Sequence, residues 1–313
     1  MYLDFFGMKS LPFQLTPKAD CLYLSHQHAK AMVYMDYATW NAGGFVVITG
    51  EIGSGKTTLV KWLLKKFTHK GKCFHMEFTN LTGNDLFLYL LKQVGITSKS
   101  DDKISLIYAF QDYLKKVTKN GRPCLLVIDE AQNLTADQLE DIRMLAALEG
   151  PEGPLLCITL LGQPEFIYTI QNAEQFRQRV KLHFHLKGLD KADLAKYIQF
   201  RMEKSGYTGK PLYTEKFISE IFKYSHGIPR LINKICDGLL ICAYADDRYE
   251  LDMKDFDSIL VDLMIANPSQ SNLVPTQSAA GKVVSNKYGV ILERLALAIE
   301  DLNKNLSTIV ARK

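Results

Sequence analysis

One short segment constrains the fold of this chain more than any other: the octapeptide Gly50-Glu-Ile-Gly-Ser-Gly-Lys-Thr57. It fits the pattern G-x-x-x-x-G-K-[ST] at every specified position, and the apolar, β-branched run Phe45 to Thr49 leads directly into it. After it, apolar residues recur at helical spacing from Thr57 to Phe67. This order of strand, glycine-rich loop and helix predicts a phosphate-binding loop.

The loop predicts which groups would hold Mg·ATP. Inward-turned backbone N–H groups would surround the phosphates, Lys56 would reach the β- and γ-phosphates, and the Thr57 hydroxyl would ligate Mg²⁺. The helix from Thr58 onward adds its positive end. A glycine-rich turn with a chance lysine is the alternative. The nucleotide-binding residues predicted in this way are Gly50, Glu51, Ile52, Gly53, Ser54, Gly55, Lys56, Thr57 and Thr58.

Two acidic residues, Asp129 and Glu130, close the apolar run Cys124 to Ile128, which is typical of a strand buried on both faces. Unpaired carboxylates are costly at such a position, and a bound metal removes that cost. Asp129 would hold Mg²⁺ through water, and Glu130 would polarise the attacking water. The alternative is an ordinary acidic pair that caps the next helix.

Strands alternate with helices in the first part of the chain and give way to helices alone in the second. We expect strands at 45–49, 73–78, 124–130, 155–161 and 180–186, and helices at 57–67, 86–94 and 104–117. This pattern favours an α/β fold, a parallel sheet sandwiched by helices. Helices at 191–203, 214–225, 230–245 and 255–263 then predict a small helical lid, with Asp190 and Thr214 as N-caps.

These elements predict four regions. An α/β nucleotide-binding domain occupies residues 1–190, the helical lid 191–264, a flexible linker rich in Ser, Pro, Gln, Ala and Gly 265–287, and an amphipathic C-terminal helix 288–313. The helix is predicted from an a/d spacing that fits either a short coiled coil or packing onto the body. Its apolar positions are Leu292, Leu295, Ile299, Leu302, Leu306 and Ile309.

The composition says more about where the protein is located than about which reaction it performs. With 313 residues and 47% hydrophobic residues, the chain can bury a core without disulfides, and its six scattered cysteines indicate a reducing compartment. No apolar run approaches the roughly 20 residues that span a bilayer. We therefore expect a cytoplasmic protein, with peripheral docking at the inner membrane left open. A formal charge of +4 does not by itself indicate nucleic acid, so DNA stays open as a partner.

Further motifs carry a family resemblance over about residues 1 to 263. They are Val127-Ile-Asp-Glu-Ala-Gln132, Leu160-Leu-Gly-Gln-Pro-Glu165, Phe176-Arg-Gln-Arg-Val180, Gly227-Ile-Pro-Arg-Leu-Ile-Asn233 and the opening Met1-Tyr-Leu-Asp-Phe-Phe-Gly7. With the P-loop, this set resembles the ExeA-like (general secretion pathway protein A) AAA+ ATPases. That family includes exosortase/PEP-CTERM-associated and MSHA-pilus-type ATPases. The resemblance implies the AAA+ P-loop fold, an α/β domain followed by a small all-helical lid.

The resemblance also implies roles for four residues. Gln163 falls where a polar sensor residue inserts between the carboxylates and the γ-phosphate. Arg177 and Arg179 precede the last strand, where AAA+ proteins place the arginine that reaches a neighbouring subunit's ATP. Arg230, at a helix start, matches the lid sensor that contacts phosphate. Either Arg177 or Arg179 could be this arginine, which is called the arginine finger, and the other could attach the sheet to the lid.

The resemblance further places an adenine-facing surface around residues 13 to 24, with Tyr23 and Leu24 lining the base. It implies a homo-oligomer, a ring or a filament, that hydrolyses ATP to ADP and phosphate. The motion would act on a protein partner in a secretion, pilus or exopolysaccharide-export complex. Two alternatives remain: an ATP-dependent oligomer on DNA, of the transposition-regulator type, and a slow nucleotide switch that acts as a scaffold.

Overall fold

A computed structural model describes residues 2–14, 23–40, 43–67, 71–77, 84–97, 101–119 and 121–263. The predicted linker 265–287 and C-terminal helix 288–313 lie outside these residues. The described chain forms two compact units, residues 9–234 and residues 2–8 with those from Ile235 onward. The predicted domain boundary between residues 190 and 191 remains a prediction.

The predicted parallel sheet is confirmed. Its five strands are β1 (Phe45–Gly50), β2 (Lys72–Met76), β3 (Cys124–Ile128), β6 (Cys157–Gly162) and β7 (Val180–Leu186), and a separate antiparallel ribbon comprises β4 (Glu149–Gly150) and β5 (Gly153–Pro154). The order is β2-β3-β6-β1-β7, and every neighbouring pair is parallel. The strand predicted at 155–161 begins at Cys157 instead, because the Leu155 N–H bonds the carbonyl of Leu148 beside the ribbon.

The larger unit contains most of the helices. They are α2 (His26–Trp40), α3 (Lys56–Phe67), α4 (Asp85–Gln93), α5 (Lys103–Val117), α6 (Ala136–Ala146), α7 (Phe166–Asn172), α8 (Glu174–Arg177), α9 (Lys191–Lys204) and α10 (Glu215–Ser225). The helices predicted at 57–67, 86–94, 104–117, 191–203 and 214–225 are confirmed within two residues. Four helices were not predicted from the sequence: α2, α6, α7 and α8.

Two apolar layers sandwich the sheet. Neighbouring residues of a strand alternate between them: Phe45 and Leu126 pack with α4, α5 and α6 on one face, whereas Val46 and Leu125 pack with α2 and α3 on the other. Burial on both faces explains why the strands read as continuous apolar runs. It also fixes the ends of the strands, from which the functional loops project.

Helix α11 (Pro229–Ala245) begins in the larger unit and continues into the smaller one, which also holds α1 (Tyr2–Phe6) and α12 (Met253–Asp262). In the smaller unit the Tyr2 hydroxyl donates to Asp237 over 2.6 Å. The ring of Phe5 stacks on Tyr249 with centroids 4.2 Å apart. These contacts attach α1 to the helices that follow Ile235.

The two predicted N-caps differ. Asp190 accepts a hydrogen bond from the Asp193 N–H over 2.7 Å and caps α9. Thr214 occupies the N-cap position of α10, but its side chain makes no capping hydrogen bond. Within the described part of the chain, no helix is both long enough and apolar enough to cross a membrane.

Candidate functional site

The sheet order brings three strand ends together. Strand β6 lies between β1 and β3, and Leu160 pairs with both Val47 and Ile128. Because all three strands are parallel, the loops after their carboxyl ends meet at one edge of the sheet. The P-loop, Gln163 and the Asp129–Glu130 pair are therefore neighbours, although up to 113 positions separate them in sequence (163 minus 50).

A cavity of about 220 Å³ opens at this edge. The predicted site residues that line it are Ile52, Gly53, Gly55, Lys56, Thr57, Thr58, Glu130, Gln163 and Arg230. Four further lining residues were not predicted to act there: Tyr197, Arg201, Pro229 and Asn233. Residues from the P-loop, two strand ends, α9 and the start of α11 thus face a common space.

Glycine is required at two positions of the loop. Gly53 has φ +84°, and a Cβ there would lie 2.4 Å from the Cβ of Arg230. The Arg230 N–H also points at the Gly53 carbonyl, over 3.3 Å. Gly55 has φ +106°, and a Cβ there would lie 2.5 Å from Nε2 of His28. The loop is therefore packed between α11 on one side and α2 on the other.

Lys56 is buried within the loop. Its Nζ donates to the carbonyls of Gly50 and Glu51, over 2.6 and 3.1 Å. Burial lowers the pKa of Lys56, and the charges of Glu130, Asp129, Glu51 and Glu165 oppose that shift. A phosphate group would give this desolvated ammonium a further partner of opposite charge.

Asp129 supplies a buried carboxylate, 4% exposed. It accepts hydrogen bonds from the Glu130 N–H and from the Thr57 hydroxyl, over 2.9 and 3.3 Å. Burial raises the pKa of Asp129 despite these donors, so a nearby cation would stabilise its ionised form. One hydroxyl and one carboxylate suit Mg²⁺ that takes its remaining ligands from water and phosphate. The described residues include no group of three or more His, Cys, Asp or Glu side chains placed to hold a metal ion.

Glu130 stands at the turn after β3, with φ +52°. Its Oε2 accepts a hydrogen bond from Nε2 of Gln132 over 2.7 Å, and Oε1 of Gln132 accepts the Gln163 N–H over 3.0 Å. Left-handed backbone at a glutamate costs of the order of 1 kcal/mol and is retained where its surroundings fix it. Gln132 was not predicted; its position two residues after Glu130 was the available signal.

The two candidate finger arginines have different surroundings. Arg177 ends α8 and is exposed. Arg179 is half-buried, and its charge acts on the carboxylate of Glu140. The pKa of Glu140 is lowered first by a hydrogen bond from Arg143 and then by the charges of Lys103 and Arg179. Neither arginine is among the described residues that line the cavity.

The end of the cavity formed by α9 and the start of α11, called the lid end here after the predicted lid, is a network of side chains. The Tyr197 hydroxyl donates to Oδ1 of Asn233 over 2.7 Å and accepts from Arg201 over 3.1 Å. Arg201 also donates to the carbonyls of Pro12 and Gln14. Tyr197 and Arg201 are one turn apart on α9, a spacing too common to single them out in a sequence.

The predicted adenine-facing surface around residues 13 to 24 is described only in part, since residues 15–22 lie outside the described chain. Phe13 packs edge-on against Tyr213, and Leu24 is 43% exposed. Tyr23 bonds Asp193 through its hydroxyl and packs against the ring of Tyr197. Tyr197 is thus the ring that lies between this segment and the cavity.

Three histidines that the motifs leave aside have hydrogen-bonding roles. Nδ1 of His28 lies 2.7 Å from the Ser25 hydroxyl, and burial lowers the pKa of His28 to about 4. The Ser25 hydroxyl also accepts the backbone N–H of His28, and Nε2 of the His28 ring faces Gly55. His183 and His185 both bond the Thr49 hydroxyl, over 2.9 and 3.0 Å.

Comparison with known proteins agrees with this geometry. A family model described as "AAA domain" matches residues 40–170. The general secretion pathway protein A of Aeromonas hydrophila is 34% identical over 254 residues, which make up 80% of this chain and 46% of that protein. The chain therefore spans about half the length of this curated relative.

Solved structures share the fold at low sequence identity. Cdc6p from Pyrobaculum aerophilum matches with a TM-score of 0.61 and 14% identity, over 79% of this chain and 70% of that one. The Drosophila origin recognition complex bound to DNA gives 0.61 and 14%, over 86% and 67%. ORC2 of Aeropyrum pernix in its ADP form gives 0.56 and 15%, over 77% and 69%. With the sheet order and the AAA-domain match, these structures show that the chain has the AAA+ P-loop NTPase fold, and its sequence is similar to that of general secretion pathway protein A.

Proposed function

We propose that this protein is a Mg²⁺-dependent ATPase that hydrolyses ATP to ADP and phosphate in a homo-oligomer. The observation that carries the proposal is the convergence of Lys56, Thr57, Asp129, Glu130 and Gln163 at one edge of the sheet. A phosphate-binding loop alone would serve binding. A carboxylate that faces the same cavity adds a group able to polarise water.

Each residue then has a task. Lys56 and the loop N–H groups would bind the phosphates, and Thr57 and Asp129 would hold the metal, which neutralises charge on the transferring phosphoryl group. Glu130 would orient and polarise the attacking water. Gln163 and Arg230 both line the cavity, where each would sense the γ-phosphate. Arg230 lies at the start of α11 and already contacts Gly53. Loss of the γ-phosphate would therefore directly change the contacts of this end of the helix.

The charges favour completion of the site by a second copy of the chain. Four carboxylates, those of Glu51, Asp129, Glu130 and Glu165, act on Lys56. A cation from a neighbouring subunit would stabilise the additional negative charge of the transition state. We assign this role to Arg177, because it is exposed, whereas Arg179 is close enough to Glu140 to lower its pKa.

The partner class follows from the curated relative, whose name is general secretion pathway protein A. The work of the ATPase cycle would be assembly or remodelling of a secretion, pilus or exopolysaccharide-export complex. Such a protein would be cytoplasmic, with a docking place at the inner membrane. Closure of the larger unit around nucleotide would tighten subunit contacts, and hydrolysis would release them.

The test is the ATPase rate at increasing protein concentration for the wild type, Glu130→Gln, Arg177→Ala and Arg179→Ala. We expect activity per subunit to rise with concentration and to fall about 100-fold or more in Glu130→Gln. Arg177→Ala should lose activity and regain part of it when mixed with Glu130→Gln, since mixed oligomers pair an intact pocket with an intact finger. Arg179→Ala is the matched control and should lose less.

Two results would contradict the proposal. A rate that is low and indifferent to all three variants would leave a nucleotide-gated scaffold. Stimulation by duplex DNA, lost as salt rises, would favour the alternative of an oligomer on DNA.

A further inference from the structure

Gln132 connects two parts of the site that belong to different strands. Its amide nitrogen donates to the carboxylate of Glu130 over 2.7 Å, and its amide oxygen accepts the backbone N–H of Gln163 over 3.0 Å. An amide is suited to this position because one end donates and the other accepts. The carboxylate at the end of β3 is therefore joined to the loop that leaves β6.

The backbone around Gln132 is fixed independently of these bonds. Residues Ala131–Asn133 form a 3-10 turn, in which the Asn133 N–H bonds the Glu130 carbonyl and the Leu134 N–H bonds the Ala131 carbonyl. Ala131 is fully buried in the core below the sheet edge. Gln132 thus projects from an anchored turn, so the point from which its side chain starts is fixed.

Glu130, by contrast, has few restraints of its own. It is half-buried and lines the cavity, and its backbone is left-handed. Within the described chain, the bond from Gln132 is the side-chain hydrogen bond that its carboxylate accepts. Without it, the side chain could rotate among several rotamers, most of which would not face an attacking water.

We propose that Gln132 is a positioning residue that holds the Glu130 carboxylate in the orientation needed to polarise water. This inference rests on the function proposed above and adds a residue to it. Gln132 acts through Glu130 and does not itself contact the reacting groups. Asparagine is too short to span both partners, and glutamate would repel Glu130 and could not donate to it when ionised.

The same residue is connected to the segment that leads to Arg177, the arginine assigned above to a neighbouring copy. The Gln163 N–H that Gln132 accepts stands at the start of the segment that continues through α7 and α8 to Arg177. Displacement of this segment by a neighbouring copy would therefore pull on Gln132 and change the orientation of Glu130.

The experiment compares Gln132→Leu with the wild type in steady-state hydrolysis, nucleotide titration and thermal unfolding. We expect kcat to fall about 10-fold or more, with KM and the affinity for a fluorescent ADP analogue unchanged within about threefold. Gln111→Leu is the matched control: Gln111 is also half-buried and donates one amide hydrogen bond, to the Glu149 carbonyl, away from the cavity. Gln132→Asn serves the same test if the leucine variant does not fold.

A double-mutant cycle separates positioning from general damage. In the Glu130→Gln background, Gln132→Leu should cause no further loss of the residual rate, because the group that it positions is already removed. An equal loss in both backgrounds, or a fall in ADP affinity that matches the fall in kcat, would overturn the inference. If Glu130→Gln is inactive while Gln132→Leu retains full kcat, this inference fails and the proposed function stands. If Glu130→Gln keeps the wild-type rate, the proposed function fails.

Discussion

The two ends of the cavity are built in different ways. The phosphate end consists of consecutive residues, 50 to 58, whose backbone conformation makes the site, with glycines at φ +84° and +106°. The lid end consists of Tyr197, Arg201 and Asn233, three side chains from two helices that bond one another. The first end is one loop of consecutive residues, whereas the second consists of side chains that already bond one another.

This difference separates the chemical tasks from the structural ones. Residues at the phosphate end have unsatisfied capacity: Lys56 is desolvated, Asp129 is a buried carboxylate and Ser54 Oγ is buried with no hydrogen-bond partner among the described residues. At the lid end, Arg201 is committed to two backbone carbonyls and a hydroxyl. Substitution should therefore affect ligand binding at one end and stability at the other.

The largest effect is expected for Lys56→Ala at the phosphate end. Loss of the ammonium removes charge-assisted bonds to the β- and γ-phosphates, and the affinity for ATP should fall by about 1,000-fold, or roughly 4 kcal/mol. Isothermal titration with a non-hydrolysable ATP analogue measures it. Lys61→Ala, an exposed lysine of the same helix, is the control and should bind as the wild type does. Equal affinities would break the distinction between the two ends.

Two arginines that line the same cavity should respond in opposite ways. Arg201→Met keeps an unbranched apolar stem but removes the guanidinium and leaves the Pro12 and Gln14 carbonyls unpaired, and it should lower the free energy of unfolding by about 3 kcal/mol. Arg230→Ala removes an exposed side chain and should leave stability within about 0.5 kcal/mol while hydrolysis falls. Denaturant unfolding and ATPase rates on both variants decide it. A stable Arg201→Met variant would mean that Arg201 is free to bind ligand.

The same difference explains what could be predicted from the sequence. The P-loop, the acidic strand end and the strand–helix alternation are local patterns, so the sheet, α3 and nine loop residues were predicted from them. The geometry also confirms that Gln163 and Arg230 line the cavity, although the family resemblance alone had placed them there. Their roles, and the choice of Arg177, stay proposals.

What the sequence did not reveal depends on long-range contacts. Helix α2 has a weakly amphipathic sequence. Its apolar residues Ala31, Met32 and Met35 can be recognised as core residues only from their packing with α3 and the sheet. No role was predicted for Gln132, His28 or Tyr197, because their partners lie far away in sequence, at Gln163, Gly55 and Asn233. The strand predicted at 124–130 ends at Ile128, and the chain turns at Glu130, which has a positive φ.

Stability at acidic pH tests the support beneath the P-loop. Burial lowers the pKa of His28 to about 4, below the ordinary value of about 6.5, so the unfolded chain binds this proton more tightly than the folded one. The contribution is present at neutral pH and is lost as the pH falls from about 6.5 towards 4. Between pH 7 and pH 5, His28 should lower the free energy of unfolding by about 2 kcal/mol.

Urea unfolding of the wild type and His28→Gln at both pH values measures this contribution. The variant should show a pH dependence that is smaller by that amount. His26→Gln, which removes an exposed imidazole two residues away, should keep the wild-type dependence. If His28→Gln and the wild type lose the same stability on acidification, then His28 is not held neutral against Gly55.

The smallest effect is expected for Tyr197→Phe at the lid end. The change deletes one hydroxyl that donates to Asn233 and accepts from Arg201, while the ring still packs against Tyr23. Each buried hydrogen bond contributes about 1 kcal/mol, and Arg201 keeps its two carbonyls, so the free energy of unfolding should fall by only about 1 kcal/mol. Tyr108→Phe, at a tyrosine that is 61% exposed, is the control. The affinity for ATP shows whether Tyr197 has a structural role only or also positions Asn233 for the nucleotide. An unchanged affinity means that the role of Tyr197 is structural. A fall of 10-fold or more would mean that its hydroxyl holds the Asn233 amide in place for the nucleotide.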